Sequence, residues 1–292
     1  LVTLVYRDFD QAALDFQYNN QAQVADPKRY LDWYGTASAA VRARVPRVSD
    51  VAYGGLPDER LDIFRPVGAA NSDRRPVVVF VHGGAWRNLD RAGSSFPAET
   101  FTARGALYVA LGFSCMPAAG SLDEMVAQVR AALAWLWLNI DNYGGDRNRL
   151  YLVGHSSGAH LGAMALCTDW PQLYGVPAGL VHSAVLVSGI YDLEPVRLSY
   201  RNEMLKLDRA AEIRNSPCRN LPASGAPVLV GHGEFDTAEF KRQAHEFEAA
   251  WRHRYGNAGR ITLAGLNHYE TIETLTDPHS PLSLATFEWL GI

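Results

Sequence analysis

"GHSSGAH", residues 154–160, lies between the apolar run "LYLV" and the helical pattern "GAHLGAMAL". A strand that ends in Gly-x-Ser-x-Gly and passes at once into a helix holds its serine on a sharp turn, with the hydroxyl above the sheet edge and glycines where backbone passes close. Glycine register separates the two serines. Gly154 and Gly158 flank Ser156, whereas the equivalent positions around Ser157 are His155 and Ala159. Ser156 is therefore read as a nucleophile. Ser157 is read through its backbone amide, which opens the helix and points at the oxygen of a carbonyl under attack.

Working outward, short β-branched runs alternate with longer helical patterns from residue 48 on, the signature of a mostly parallel sheet wrapped by helices. Strands are expected near 60–65, 76–82, 106–112, 149–154, 182–188, 227–231 and 260–264. Ser121, with Glu124 three residues on, starts a crossover helix over 121–140, and the patterns at 238–255 and in the closing "PLSLATFEWL" read the same way. Two stretches fall outside this alternation. Residues 7–47 are aromatic and helical in pattern, and residues 193–225 are charged, then rich in Pro, Ser and Asn. Both are expected to form cap or lid pieces, because long connections in compact domains tend to be functional.

A nucleophilic serine needs a base and an acid, and this arrangement orders them Ser, acid, His along the chain. "APVLVGHGEFD" (226–236) is a strand followed by a turn with Glu234 and Asp236, and "LAGLNHYE" (263–270) is a strand followed by a loop with His268. Ser156, Asp236 and His268 thus all fall just past strand ends, where α/β sheets build their sites. Asp192, in "VSGIYDLEP", is the second choice for the acid and Glu234 the third; His279 is the alternative base. "HGGAW" (82–86) follows the most hydrophobic strand, and Gly83 and Gly84 are the candidate oxyanion donors beside Ser157. Trp86 is a candidate pocket wall, with a packed core position equally open to it. His82 and His160 are read as hydrogen-bonding supports.

The chain has 292 residues, is 48% hydrophobic and 20% charged, and carries a net charge of −4. That length suits one compact domain, and its scattered basic residues give no electrostatic footprint for nucleic acid or an anionic membrane. The longest uncharged apolar run, "AALAWLWL" (131–138), is too short to span a bilayer. Three cysteines without a CxxC fit a reducing cytoplasm. Neither a metal-ligand spacing nor a nucleotide fingerprint is present, so no cofactor is expected.

The constellation resembles the α/β-hydrolase superfamily over residues 48–292. More narrowly, "HGGAW", "GHSSGAHL", "SGIYDLEP", "HGEFDTAEFKRQA" and the N-terminal "LDFQYNN" look like the arylformamidase (kynurenine formamidase) branch, neighbour to the hormone-sensitive-lipase-like esterases. The resemblance implies a single α/β-hydrolase domain over 1–292 with a small helical cap, a Ser156–Asp236–His268 triad, and a hole formed by Gly83, Gly84 and Ser157. The implied activity is metal-free hydrolysis of an N-formyl aryl amide or an ester, with short-acyl carboxylesterase, carbamate or thioester hydrolysis as the alternative. Trp86 would roof the acyl pocket, and lid aromatics such as Tyr18, Trp33 or Tyr191 would line a pocket for the leaving group. The expected partner is a small-molecule ester or amide, with a homodimer left open. Ala85 and Ser157 depart from the branch, which often carries an aromatic residue and an alanine there.

Overall fold

The computed structural model describes residues 3–292. Eight strands form one sheet: β1 (Arg47–Ala52), β2 (Arg60–Phe64), β3 (Arg75–Val81), β4 (Leu107–Leu111), β5 (Gly145–His155), β6 (Ser183–Val187), β7 (Val228–Gly233) and β8 (Ala258–Leu263). Their spatial order is β1-β2-β4-β3-β5-β6-β7-β8. Strands β3 to β8 pair in parallel, and β2 runs antiparallel to both of its neighbours.

Among the described residues, twelve α-helices accompany the sheet. They are α1 (Gln11–Tyr18), α2 (Pro27–Arg44), α3 (Ala98–Ala103), α4 (Leu122–Asn139), α5 (Ser157–Leu166), α6 (Trp170–Tyr174), α7 (Glu194–Leu198), α8 (Asn202–Leu205), α9 (Arg209–Arg214), α10 (Ala238–Tyr255), α11 (Glu270–Glu273) and α12 (Pro281–Leu290). Successive strand side chains point to opposite faces, and the sheet uses both. Val77, Val79, Val81, Leu150 and Leu152 pack with α4, α5 and α10 on one side. Val78, Phe80, Tyr151 and Val153 pack with α2, α3 and α12 on the other. Doubly covered strands need no polar face, which is why β3, β5 and β7 contain the unbroken apolar runs 77–81, 150–153 and 228–230.

The seven expected strands are all present, with ends displaced by a few residues. β1 is an addition. Its sequence "RVSDVA" carries no apolar face, its residues are half-buried or exposed, and its pairing with β2 is interrupted between Val48 and Val51, where Asp50 adopts φ +56°. An edge strand covered on neither face leaves no periodic signal. Ser121 caps α4 as expected, accepting from the Glu124 N–H at 3.2 Å.

The two stretches outside the alternation meet each other in space. Residues 7–47 form α1, a short turn of 3-10 helix (Asn20–Gln23) and α2, while 193–225 hold α7, α8 and α9. Gln11 donates to the Leu198 carbonyl at 3.0 Å, Asp15 accepts from the Tyr200 N–H at 2.7 Å, and the Tyr18 carbonyl accepts from Arg201 Nε at 2.8 Å. The Tyr18 hydroxyl anchors this joint on α10, donating to Glu239 at 3.0 Å and accepting from Gln243 at 2.8 Å. No helix among the described residues is long and apolar enough to cross a membrane.

Leu152 lies in central β5 with no exposed surface and packs in the cluster beneath α5. Leu152→Ala is expected to lower unfolding stability by about 2–5 kcal/mol, whereas Val51→Ala on the edge costs under about 1 kcal/mol; urea titrations of the two variants check the contrast.

Candidate active site

β5 ends at His155, Ser156 forms the turn and α5 begins at Ser157. Ser156 holds φ +54° and ψ −122°, a region that non-glycine residues avoid. The glycines on either side are dictated by the backbone around them. A Cβ on Gly158 would lie 2.1 Å from the Val81 carbonyl oxygen and 2.4 Å from that of His82, and one on Gly154 would lie 2.7 Å from the Gly158 carbonyl oxygen. The nucleophile turn is thus pressed against the end of β3 with no space for a side chain at these two positions.

The structure brings Ser156, His268 and Asp236 into one hydrogen-bonded line. His268 Nε2 lies 2.9 Å from Ser156 Oγ, and His268 Nδ1 lies 2.7 Å from Asp236 Oδ1. All three are buried. Asp236 Oδ2 accepts two further hydrogen bonds, from Ser188 Oγ at 2.6 Å and from the Gly233 N–H at 2.9 Å. Burial pushes the Asp236 carboxyl up, but the adjoining His268 imidazole and the hydrogen bonds from His268, Ser188 and Gly233 outweigh it and hold the group below the ordinary aspartate range. The tautomer follows: with Asp236 ionised, His268 carries its proton on Nδ1, and Nε2 is free to accept the Ser156 O–H.

The alternative acids are engaged elsewhere. Asp192 pairs with Arg219 at 3.3 Å, and Glu234 accepts from the Gly265 N–H at 2.7 Å. His279 lies in an exposed loop. Asp192, Glu194 and Glu212 stand close enough to share a cation. Arg197, Arg209 and Arg219 already neutralise them.

Further histidines fix the surroundings. Burial, with the nearby His268 imidazole, pulls His155 down to about 3, so it is neutral and donates from Nε2 to the His268 carbonyl at 3.0 Å. Burial likewise pulls His160 down to about 4. Its Nε2 donates to the Asn215 carbonyl at 2.8 Å and its Nδ1 accepts from Trp86 Nε1 at 3.2 Å, which ties the loop after β3, the helix α5 and the 193–225 segment together.

A cavity of about 340 Å³ opens on Ser156 and His268, walled by Gly84, Ala85 and Asn88 from the loop after β3, by Asn20 and Tyr34 from residues 7–47, and by Tyr200, Arg201 and Met204 from 193–225. Both expected cap pieces contribute to it. The expected pocket aromatics do not. Trp86 is 1% exposed and packs edge-on against His160, Tyr18 is spent on Glu239 and Gln243, and Tyr191 stacks on Phe247 at 4.2 Å. Trp33 packs edge-on against Phe96, outside the cavity. Trp86, Tyr18 and Tyr191 are core material, Trp33 is exposed, and the wall is more polar than the sequence suggests.

Of the candidate oxyanion donors, Gly84 lines the cavity at φ +105°, joined by Ala85 at φ +57°. Gly83 is not among the residues lining the cavity; its Cα lies beside the turn, where a Cβ would be 3.1 Å from Ser156 Cβ, and its amide finds no acceptor within the described residues. The amides of Gly84, Ala85 and Ser157 find no acceptor within the described residues. Ser157 Oγ accepts from the Trp86 N–H at 3.1 Å, which pins that loop to α5. Sequence reasoning missed Ser188, whose signal was a serine at the C-terminal end of β6, and it missed Arg201, which had none.

This sheet order, with a serine on the turn after a central strand and histidine and aspartate past two later strand ends, defines an α/β-hydrolase. The BD-FAE family model matches residues 61–174. Kynurenine formamidase from Danio rerio is 35% identical over 261 residues, 87% of this chain and 86% of the relative; that from Salmo salar is 34% identical over 250 residues, 83% and 81% respectively. Esterase LipQ of Mycobacterium tuberculosis is 30% identical over 240 residues, 76% of this chain and 56% of the relative. Among solved structures, a protein from Silicibacter sp. tm1040 described as a thioesterase superposes with a TM-score of 0.81 at 26% identity, covering 93% of this chain and 97% of that one. A Pyrobaculum calidifontis esterase has the same fold, with a TM-score of 0.70 at 18% identity over 93% of this chain and 95% of that one. The chain belongs to the arylformamidase-like esterase family of α/β-hydrolases, and it is a hydrolase.

Two predictions follow from the packing around the turn. Gly158→Ala is expected to displace the nucleophile from His268 and cost about 1–3 kcal/mol, read as a lowered Tm together with lost hydrolysis. Glu273, on α11 just past His268, has a buried Oε1 with no partner, and burial, reinforced by Glu270 and opposed by Arg29, pushes it up to about 7. The unfolded chain ionises near the ordinary 4.5 while the folded chain still holds the proton, so stability falls as pH rises from about 4.5 to 7. Glu273→Gln is therefore expected to be about 1–2 kcal/mol more stable than the parent at pH 8 and equal to it at pH 4; chemical denaturation at the two pH values checks the sign.

Proposed function

We propose that this hydrolase works through a covalent acyl-Ser156 intermediate and that its substrate is an N-formyl aryl amine. The observation that carries the mechanism is the line of hydrogen bonds from Asp236 through His268 to a serine held at positive φ on the cavity wall. Ser156 Oγ attacks the carbonyl carbon as its proton passes to His268 Nε2. Asp236, ionised, stabilises the imidazolium. The carbonyl oxygen takes the negative charge and accepts from the free amides of Ser157, Gly84 and Ala85, each donor worth about 3 kcal/mol in the transition state. When the tetrahedral carbon collapses, the bond to the leaving nitrogen or oxygen breaks and that atom takes the proton from Nε2. Water then attacks the acyl carbon, gives its proton to His268, and the second collapse returns it to Ser156 as the acid departs.

The substrate reading rests on the kynurenine formamidases, which are similar over most of both chains. A formyl group is the smallest acyl unit, so a carbon held between Ser156 and the amides leaves the cavity free for an aryl leaving group. The second reading, a short-acyl carboxylesterase or a carbamate or thioester hydrolase, is favoured by the likeness to LipQ and to the protein described as a thioesterase. We propose a reducing, cytoplasmic setting, in keeping with three free cysteines. We also propose that residues 1–292 act as one domain, with residues 7–47 and 193–225 as its cap.

A panel of N-formylkynurenine, p-nitrophenyl acetate, an aryl carbamate and an acyl thioester tests both parts. Ser156→Ala is expected to lose at least about 10⁴-fold in kcat/KM on every substrate turned over, and Asp236→Asn about 10³- to 10⁴-fold. Asp192→Asn and Ser157→Ala, which keep the line of hydrogen bonds and the backbone amide, stay within about tenfold. Activity that survives in Ser156→Ala and vanishes in Ser157→Ala would overturn the nucleophile. Ester turnover exceeding formamide turnover by orders of magnitude would remove the formamidase reading.

A further inference from the structure

The cavity wall carries a cation that no anion answers. Arg201, at the N-terminal end of α8, lines the cavity, and its Nε and Nη2 both donate to one backbone carbonyl, that of Tyr18. Nη1 has no acceptor among the described residues. Burial holds this guanidinium below the ordinary arginine range, and the groups that oppose burial are the phenols of Tyr200, Tyr269 and Tyr18, with no carboxylate among them. Arg42, Arg197 and Arg242, also partly buried, are matched by the acids Asp62, Glu212 and Glu239, whereas Arg130, which donates to Thr168 and has no acid partner among the described residues, lies away from the cavity.

The other charged side chains on the wall, Arg87 and Glu203, are both exposed and form no ion pair among the described residues, which leaves Arg201 as the half-buried charge there. Asn20 is only 6% exposed, and its Oδ1, an acceptor, has no hydrogen-bond partner and suits a donor on the substrate rather than its carboxylate. A guanidinium withdrawn from water is costly unless something with lone pairs meets its free N–H groups, and a carboxylate does so in charge and in planar geometry.

We infer that Arg201 is a specificity-determining residue that selects substrates by charge, pairing with a carboxylate carried on the part of the substrate away from the scissile bond. The inference rests on Ser156 as the nucleophile, and it cuts across the choice between ester and amide: an anionic ester and an anionic formamide share the anchor, while their neutral counterparts lack it. Arg201 comes from the segment 193–225 and is held by the carbonyl of Tyr18 from the segment 7–47, so the anchor exists only where the two cap pieces meet. The pairing is made equally in the bound substrate and in the transition state, and its loss therefore appears in KM rather than in kcat.

A matched pair of probes tests this: an aryl acetate bearing a carboxymethyl arm on the ring, and the methyl ester of that arm. The parent enzyme is expected to prefer the anionic probe, with a KM that rises with salt. Arg201→Gln is expected to raise KM for the anionic probe about 30-fold or more, with kcat and the neutral probe changed by less than about threefold, and Arg201→Lys recovers part of the loss. An equal loss on both probes would show that Arg201 only clasps the Tyr18 carbonyl, and an absent preference in the parent would equally overturn the proposal. Binding of the anionic probe to Ser156→Ala, followed calorimetrically with and without Arg201→Gln, separates the two failures. If the parent hydrolyses neither probe but that binding still depends on Arg201, the ester reading falls and the anchor stands; if binding ignores Arg201, the anchor falls.

Discussion

The turn between β5 and α5 holds Ser156 at φ +54°, a conformation that costs a residue with a side chain about 1–3 kcal/mol, and the surrounding backbone permits nothing else. Gly154 and Gly158 let the turn lie against the end of β3, with no side-chain atom between. That contact fixes the order of everything nearby. The Ser156 hydroxyl is aimed at His268, the Ser157 amide opens α5, and Ser157 Oγ pins the loop after β3 through the Trp86 N–H. The same loop presents Gly84 and Ala85 to the cavity. A relaxed turn would lose all of these together, because one backbone contact sets them.

Electrostatics then prepares the site before any substrate arrives. Asp236 stays ionised in a buried position because it accepts from His268, Ser188 and the Gly233 N–H, and His155 braces the His268 backbone from a ring kept neutral by burial. Ser188 itself sits at φ +51°, so two strand ends, β5 and β6, store strain within reach of the same carboxylate. Asp236 and His268 are thus each held by hydrogen bonds beyond the line that joins them to Ser156.

Much of this was legible in the chain. Apolar runs mark strands covered on both faces, and glycine register picks Ser156 over Ser157, since both follow from local backbone demands. Asp236 and His268 were found because the chemistry orders them after strands, and the hydrogen bonds agree with that choice over Asp192. What stayed hidden is tertiary. β1 has no apolar face to announce it. Trp86, Tyr18 and Tyr191 are aromatic near the site in sequence yet turn into the core, where rings bury more surface than a cavity wall offers. Gly83 and Gly84 look equivalent until the turn presses on one of them. Arg201 is one arginine among many, and only its place on the cavity wall, half-buried with no acid beside it in space, singles it out.

The antiparallel strand β2 and the cap pieces leave β3, β5, β7 and β8 as a block whose loops carry Ser156, Asp236 and His268, while the wall opposite is built from the turn after α1, from α2 and from the segment around α8. The hydrogen-bonded line and the wall that faces it therefore reside on separate stretches of the gene. Point mutations at Asn20, Arg201 or Met204 leave the contacts of the strained serine untouched, so lineages sharing this fold can vary the wall while the turn stands still.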